Sequence, residues 1–503
     1  MSDVRPDTQG WTIADLARVT GGVLHGGSAV LDVPIRRYSI DTREVQLHDV
    51  FLALQGSRMH GIELWSAAVD AGASAIVVGS DAPEHAVHAA RESCGDHTAL
   101  IIVDQPGVEM VGKIGKEWRR HARYTVVGIT GSSGKTSCKE LLNGIMSGRF
   151  NVAASPANHN NELGVPLTLL QAPQGTELVI CEMGMRGLGQ IAYLCEIAEP
   201  DIGIITTIGT AHLELLHTAE NIARAKSEII AGVGSGTAVI PADQPELVGL
   251  SGAAPGALMT FAGLGDTSTA DLRVTDVQRT ADGITGTMDS AEAGSFPFSI
   301  PLHGTHNATN LAAACCAMRA AGATWDEIRA AVHPDRTSWS TSVSGRGDRH
   351  RLDAYGLLIN DAYNANPESV RAALDELAAT DANGNRVAVL GYMAELGPES
   401  PAFHAAVGTY AAERDVDQLI LVQTHPDVAE MARAWERVRC TSPRIYSSVS
   451  DLVDDVPAWA PGPEGIMLLK ASNSVGLGRA VGELVERYGT MVAHLTGSDV
   501  SSQ

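Results

Sequence analysis

Residues 126–137, VVGITGSSGKTS, decide how this chain is read. An apolar β-rich run (residues 124–129) ends in a Gly/Ser turn, and a helix-like segment then continues to Ile145. A turn of this kind directs several backbone N–H groups into one concavity, at the positive end of a helix dipole. Gly131, Ser132, Ser133, Gly134 and Ser137 would wrap nucleotide phosphates, Lys135 would reach the outer ones, and the Thr136 hydroxyl could ligate Mg²⁺. The strict phosphate-loop spacing requires glycine five residues before Gly134. Ile129 stands there, so this is the shorter GxxGKT form.

Outward from the loop, strand-like and helical segments alternate, which predicts α/β architecture with a mostly parallel sheet. Strands are expected at residues 50–54, 75–78 and 100–103, with a helix at 65–71. Further strands are expected at 178–181 and 202–207. Residues 267–300 break the alternation and read as a small antiparallel insertion, followed by an Ala-rich helix at 310–321. A Ser/Gly-rich linker begins at Thr337. Strands are then expected at 356–359, 387–390, 418–422 and 466–469, with a helix at 367–379. The C-terminal end, residues 496–503, reads as frayed. These blocks give three expected domains, 1–122, 123–336 and 337–503.

The 503 residues exceed one hydrophobic core, and at roughly 100–200 residues per domain two to four domains are expected. Hydrophobic residues make up 44% and aromatics only 4%, so small aliphatics must build the cores. The net charge of −23 argues against a nucleic-acid partner, which needs clustered Lys and Arg. Nucleotides remain compatible with it, because a few local donors and Mg²⁺ hold a triphosphate. The seven cysteines form no CxxC pair, so neither a zinc site nor a disulfide framework is expected. The polar N-terminus is unlike a signal peptide, and no apolar run reaches the roughly 18 residues that span a bilayer. The expected location is the cytoplasm.

Four more residues stand beside the loop as a set. Glu182 follows the strand at 178–181, and His212 lies in TTIGTAHLELL after the strand at 202–207. Lys226 lies on an expected helix, in ARAKSEI, and Asp361 follows the strand at 356–359, in INDAYNANP. Residues just past strand C-termini are where α/β sheets bind ligands. Singly, each would read as an ordinary loop or surface residue.

Together the segments resemble the Mur ligase superfamily. The resemblance rests on SIDTREVQLHDVFLALQG, GITGSSGKTSCKELL, NHNNELGVPLTLL, EMGMRGLGQIAYL, HGTHNATNLAAA, GRGD, INDAYNANPESVRAALDEL and VLGYMAELGPES with His404, and it covers nearly the whole chain. It implies an N-terminal domain for the UDP end of the substrate, a central ATP-binding domain and a Rossmann-like C-terminal domain. It implies ATP-dependent amide formation through an acyl phosphate, joining D-alanyl-D-alanine to UDP-N-acetylmuramoyl-tripeptide. Nothing in the sequence demands more than a monomer, which is the expected state. Residue by residue, the resemblance implies Lys135 on the outer phosphates and Thr136 with Glu182 on one Mg²⁺. His212 would help hold a second, and Lys226 matches a lysine that CO₂ carbamylates. Asn307 matches an adenine-pocket position, and Arg346, Asp361 and Tyr363 match groups that reach ATP from the C-terminal domain. Ser39, Thr42 and Arg43 match the UDP-sugar region, while Asn160 and Asn161 face substrate.

Two departures stand out. KASNSVGL, from Lys470, replaces the usual KGSRS, so an arginine proposed to contact substrate is Asn473 here. Asn360–Asp361 replaces an aspartate pair. The alternative branch adds the third amino acid of the peptide and usually carries DNPR, which this chain lacks.

Overall fold

A computed structural model describes residues 10–156, 159–336 and 344–489. The start of the Ser/Gly-rich linker (337–343) and the tail at 496–503 lie outside the described residues.

Three sheets follow one another along the chain. The first contains β1 (Val23–Gly26), β2 (Tyr38–Ser39), β3 (Val50–Ala53), β4 (Ala75–Val78) and β5 (Ala99–Ile102), in spatial order 1-5-4-3-2. It is parallel except for β1, which pairs antiparallel with β5 at one edge. The central sheet contains β6 (Thr125–Thr130), β7 (Val152–Ala154), β8 (Leu178–Glu182), β9 (Ile202–Ile205), β10 (Thr237–Pro241), β11 (Ala257–Ala262), β12 (Leu272–Thr280), β13 (Gly283–Ser290) and β14 (Gly294–Ile300). Its order is 14-13-12-11-10-9-6-8-7. The third contains β15 (Asp348–Leu352), β16 (Gly356–Asn360), β17 (Arg386–Leu390), β18 (Gln418–Val422), β19 (Arg444–Tyr446) and β20 (Ile466–Lys470), in order 15-16-20-17-18-19.

Burial on both faces explains why these strands read as unbroken apolar runs. On one face of the central sheet, helices Lys135–Met146 and His306–Ala320 bury Leu141, Leu142, Leu311 and Cys315. On the other face lie Gln190–Ala198 and Ala219–Gly232, with Leu194, Ile222 and Ile229 buried. The third sheet is likewise enclosed by two clusters, around Leu374 and Leu468 and around Val389 and Leu469.

The segment expected as a small antiparallel insertion is antiparallel, and it prolongs the central sheet. β12 joins β11 in parallel through Phe261–Leu272 and Ala262–Arg273, and the β12–β14 meander carries the sheet onward. The helix expected from residue 310 begins at His306. In its first turn, HNATN, His306, Thr309 and Asn310 line a cavity, and those polar residues hid its start from an apolar pattern.

The chain leaves β6 for the β7–β8 side and then returns past β6 to β9. Beside β6 the strand order therefore reverses, and the open crevice at such a switch point lies beyond the strand C-termini. The glycine-rich turn sits there. No helix among the described residues is long and apolar enough to cross a membrane.

Candidate active site

The turn after β6 is built for close backbone approach. Gly131 has φ 153° and faces the Thr206 hydroxyl with no room for a Cβ. At Gly134 (φ 82°) a Cβ would stand 2.5 Å from Asn310 Oδ1. The exit of β9 clasps the same turn. The amide of Ser132 donates to Thr207 O (2.8 Å), that of Ser133 to Thr207 Oγ1 (3.1 Å), and Thr206 Oγ1 donates to Ser133 O (2.6 Å). Helix Lys135–Met146 then begins with no side-chain cap, so its first N–H groups remain available to a ligand.

Glu182, the last residue of β8, is buried beside this helix start. Its Oε2 accepts from Thr136 Oγ1 (2.8 Å), its Oε1 from Asn160 Nδ2 (3.0 Å), and its amide donates to Ser155 Oγ (3.1 Å). Lys135 donates to Gly131 O (2.7 Å), and burial pushes its ammonium below the usual lysine range. Lys226 is only 1% exposed. Desolvation, and then the positive charge of Lys135, push its amine well below lysine's ordinary value.

The C-terminal domain supplies the opposite wall. Asp361, just past β16, pairs with Lys470 Nζ at the end of β20 (2.7 Å). Lys470 also donates to Asn364 O (2.9 Å). The Arg346 guanidinium lies 4.2 Å from the Tyr363 ring centroid. Helix Pro367–Ala379 points its start at the phosphate turn. Its N-cap Asn366 donates from Nδ2 to Ser133 Oγ (3.0 Å), and Glu368 accepts from the Thr210 amide (3.2 Å) and hydroxyl (3.0 Å). His212 Nδ1 meets Glu395 Oε2 at 2.5 Å.

Between these walls lies a cavity of about 1420 Å³. Ser132, Ser133, Gly134, Lys135, Ser137, Asn160, Asn161, Glu182, His212, Arg346, Asp361, Tyr363 and Lys470 all line it. Gly131, Thr136, Asn307 and Lys226 do not. Asn307 is buried behind the wall, donating to His303 O (2.7 Å) and accepting from Asn310 (3.0 Å), while His303, His306 and Asn310 face the cavity. Desolvation, reinforced by Arg349, lowers the His303 imidazole to about 4, so that ring is neutral near pH 7. Ser39, Thr42 and Arg43 lie apart in the N-terminal domain. Ser39 Oγ donates to Asp41 O (3.0 Å), and Arg43 pairs with the Asp41 carboxylate.

Sequence reasoning missed Asn310, Asn366, Glu368 and Glu395. Asn-Pro at residues 366–367 does carry a signal, because a capping asparagine followed by proline marks a helix start and its positive end. Glu368 and Glu395 look like solvated glutamates until the two domains are brought together.

Among the described residues, no three His, Cys, Asp or Glu converge as a metal site. The carboxylate–hydroxyl pair of Glu182 and Thr136 nonetheless suits a hard cation that takes its remaining ligands from phosphate oxygens and water.

Comparison with known proteins gives this geometry a family. The Mur ligase family catalytic domain matches residues 34–119, the Mur ligase middle domain 129–318, and the Mur ligase glutamate ligase domain 345–473. A UDP-N-acetylmuramoyl-tripeptide–D-alanyl-D-alanine ligase of Synechocystis is 35% identical over 464 residues, covering 92% of this chain and 94% of its own. The chain belongs to the Mur ligase family. As a Mur ligase it is an ATP-dependent ligase. The Bacillus subtilis ligase of the same description is 30% identical, covering 94% of this chain and 98% of its own. MurF from Acinetobacter baumannii shares the fold with a TM-score of 0.78 at 26% identity, covering 95% of this chain and 99% of its own. The Thermotoga maritima MurF ligase in complex with ADP has a TM-score of 0.73 at 27% identity, covering 90% of this chain and 99% of its own.

Proposed function

We propose that this Mur ligase joins D-alanyl-D-alanine to UDP-N-acetylmuramoyl-tripeptide, a cytoplasmic step of peptidoglycan precursor synthesis, acting as a monomer with domain boundaries near residues 122 and 336. The observation that carries the reading is the two-sided cavity. One wall holds the phosphate turn and Glu182, and the other holds Asp361, Arg346 and Lys470. The relatives of that description span nearly the full chain.

A carboxylate is a poor electrophile, and transfer of the ATP γ-phosphoryl group gives it a leaving group. The dipeptide amine then attacks the acyl carbon, and phosphate departs with the bonding pair. Two anions must meet in the first step. The loop amides and Lys135 lower that repulsion by holding the phosphates in a preorganised cradle. Thr136 and Glu182 would hold one Mg²⁺, and His212 with a carbamylated Lys226 a second; when bound, these ions supply charge neutralisation at the phosphate oxygens. Lys226 suits carbamylation because CO₂ reacts with the neutral amine, and burial together with the Lys135 charge favours that form. Asn307 would support the adenine pocket, with Arg346, Asp361 and Tyr363 reaching ATP from the opposite domain. Ser39, Thr42 and Arg43 would receive the UDP-sugar, and Asn160, Asn161 and Lys470 would serve the peptide end.

The test is phosphate release from ATP, Mg²⁺ and UDP-N-acetylmuramoyl-tripeptide. Release should require D-alanyl-D-alanine. Release with a single amino acid on a shorter acceptor, and none with the dipeptide, would place the chain in the branch that adds the third amino acid.

A further inference from the structure

We infer that Glu395 is a positioning residue that reaches from the C-terminal domain to orient His212, so that domain closure completes the metal-facing half of the site. The inference rests on the reading, given above, that His212 serves the metal ions beside the phosphates.

The contact joins side chains 183 residues apart, His212 Nδ1 to Glu395 Oε2 at 2.5 Å. A carboxylate only accepts, so in the neutral ring Nδ1 carries the proton and Nε2 keeps the lone pair. This is the tautomer in which a carboxylate holds a metal-binding histidine. His212 lines the cavity. Both residues occupy the left-handed region, with φ of 68° at His212 and 62° at Glu395, a conformation that is costly for non-glycine residues and is retained where surrounding contacts enforce it.

The contacts that enforce it are visible. The amide of Glu214 donates to Glu395 O (3.1 Å), docking the two loops backbone to backbone. The turn carrying Glu395 is itself pinned within its own domain. Met393 N–H donates to His404 Nε2 (3.0 Å), and Ala394 N–H donates to Ser472 Oγ (2.9 Å). His404 is fully buried, and its Nδ1–H donates to Ser400 O (2.7 Å). The turn therefore arrives as a preformed piece. Of the pinning residues, Ser472 belongs to the KASNS segment that follows β20 from Lys470.

A cycle of Glu395→Ala, His212→Ala and the double variant tests this, with kcat and Mn²⁺ binding in the presence of ADP as readouts. Mn²⁺ binding is followed by loss of the free-ion EPR signal, which needs no turnover. Glu395→Ala should lower kcat about 10–100-fold and weaken Mn²⁺ binding by about tenfold or more, as loss of a partner behind a ligand does. In the His212→Ala background it should cost little more. Glu395→Gln, whose amide oxygen can still accept from Nδ1, should recover most of both and also guards against a simple folding defect. The inference is overturned if Glu395→Ala leaves kcat and Mn²⁺ binding unchanged, or costs the same with and without His212. Wild-type behaviour of His212→Ala would instead sink the role given to His212, while dipeptide-dependent phosphate release would still stand.

Discussion

Lys226 is the residue whose environment least resembles what its type prefers. A buried ammonium beside the second positive charge of Lys135 is costly, so the folded state favours the neutral amine. Because its folded-state value lies below its unfolded one, protonation favours the unfolded chain, and this group's contribution to stability falls as pH drops below the ordinary lysine range. Carbamylation turns the neutral amine and CO₂ into a carbamate anion with release of a proton, and the Lys135 charge that disfavours an ammonium at Lys226 favours that anion. Bicarbonate at pH 8 should therefore raise the melting temperature of the wild type and leave Lys226→Met unmoved. ¹³C-bicarbonate should give a carbamate NMR signal that Lys226→Met lacks. Turnover of Lys226→Met should drop on the order of 100-fold or more, the scale of losing one preorganised electrostatic group. Near-normal turnover, or an identical ¹³C signal in the variant, would rule the carbamate out. Apart from the family resemblance, the residues around it showed only a lysine on a helix, because burial and the nearby Lys135 charge emerge when that helix packs against the central sheet.

At the scale of elements, helix Pro367–Ala379 does two things at once. Asn366 caps it, accepting from Ser369 N (2.8 Å), and the same side chain donates to Ser133 in the phosphate turn (3.0 Å). The two roles separate by mutation. Asn366→Asp keeps a capping oxygen, so stability should change little, whereas Asn366→Ala should lose about 1 kcal/mol in thermal or denaturant unfolding. Asn366→Asp also replaces an amide donor with an anion beside the phosphate cradle. Its KM for ATP should rise about tenfold, the equivalent of roughly 1.4 kcal/mol and well within the repulsion of two charges near a protein surface. Wild-type KM values in both variants would show that the contact with Ser133 does not reach the nucleotide. This helix was legible to the residue, since proline and the capping asparagine mark its start. So were the strands at 75–78 and 418–422. The central sheet's extension through β12–β14 was not, because strand partners depend on register, which a lone alternating segment does not carry.

At the scale of the whole molecule, the site exists only where two domains meet, and that is the part a linear reading could not assemble. Glu376 shows how the join is held. It is 7% exposed and accepts from Arg349 of its own domain (2.7 Å) and from Arg279 on β12 of the central domain (3.1 Å). Asp361 sits nearer the chemistry, with its carboxylate held by the nearly buried Lys470 at 2.7 Å. Asp361→Ala would remove the counter-charge, the side-chain acceptor of that lysine and the volume between them, so a loss of activity would be hard to separate from disturbed packing. Asp361→Asn keeps the shape and an acceptor for Lys470 while removing the charge. If the C-terminal domain reaches ATP through this residue, Asp361→Asn should raise the KM for ATP about 10–100-fold, the size of losing one charge-assisted hydrogen bond, with a smaller fall in melting temperature than Asp361→Ala. The phosphate turn lies in the other domain and is untouched by the change. A raised KM would therefore mean that nucleotide affinity is set across the domain interface. Unchanged KM and kcat would mean that the central domain binds ATP without help from Asp361, and that the Asp361–Lys470 pair serves only to shape the opposite wall.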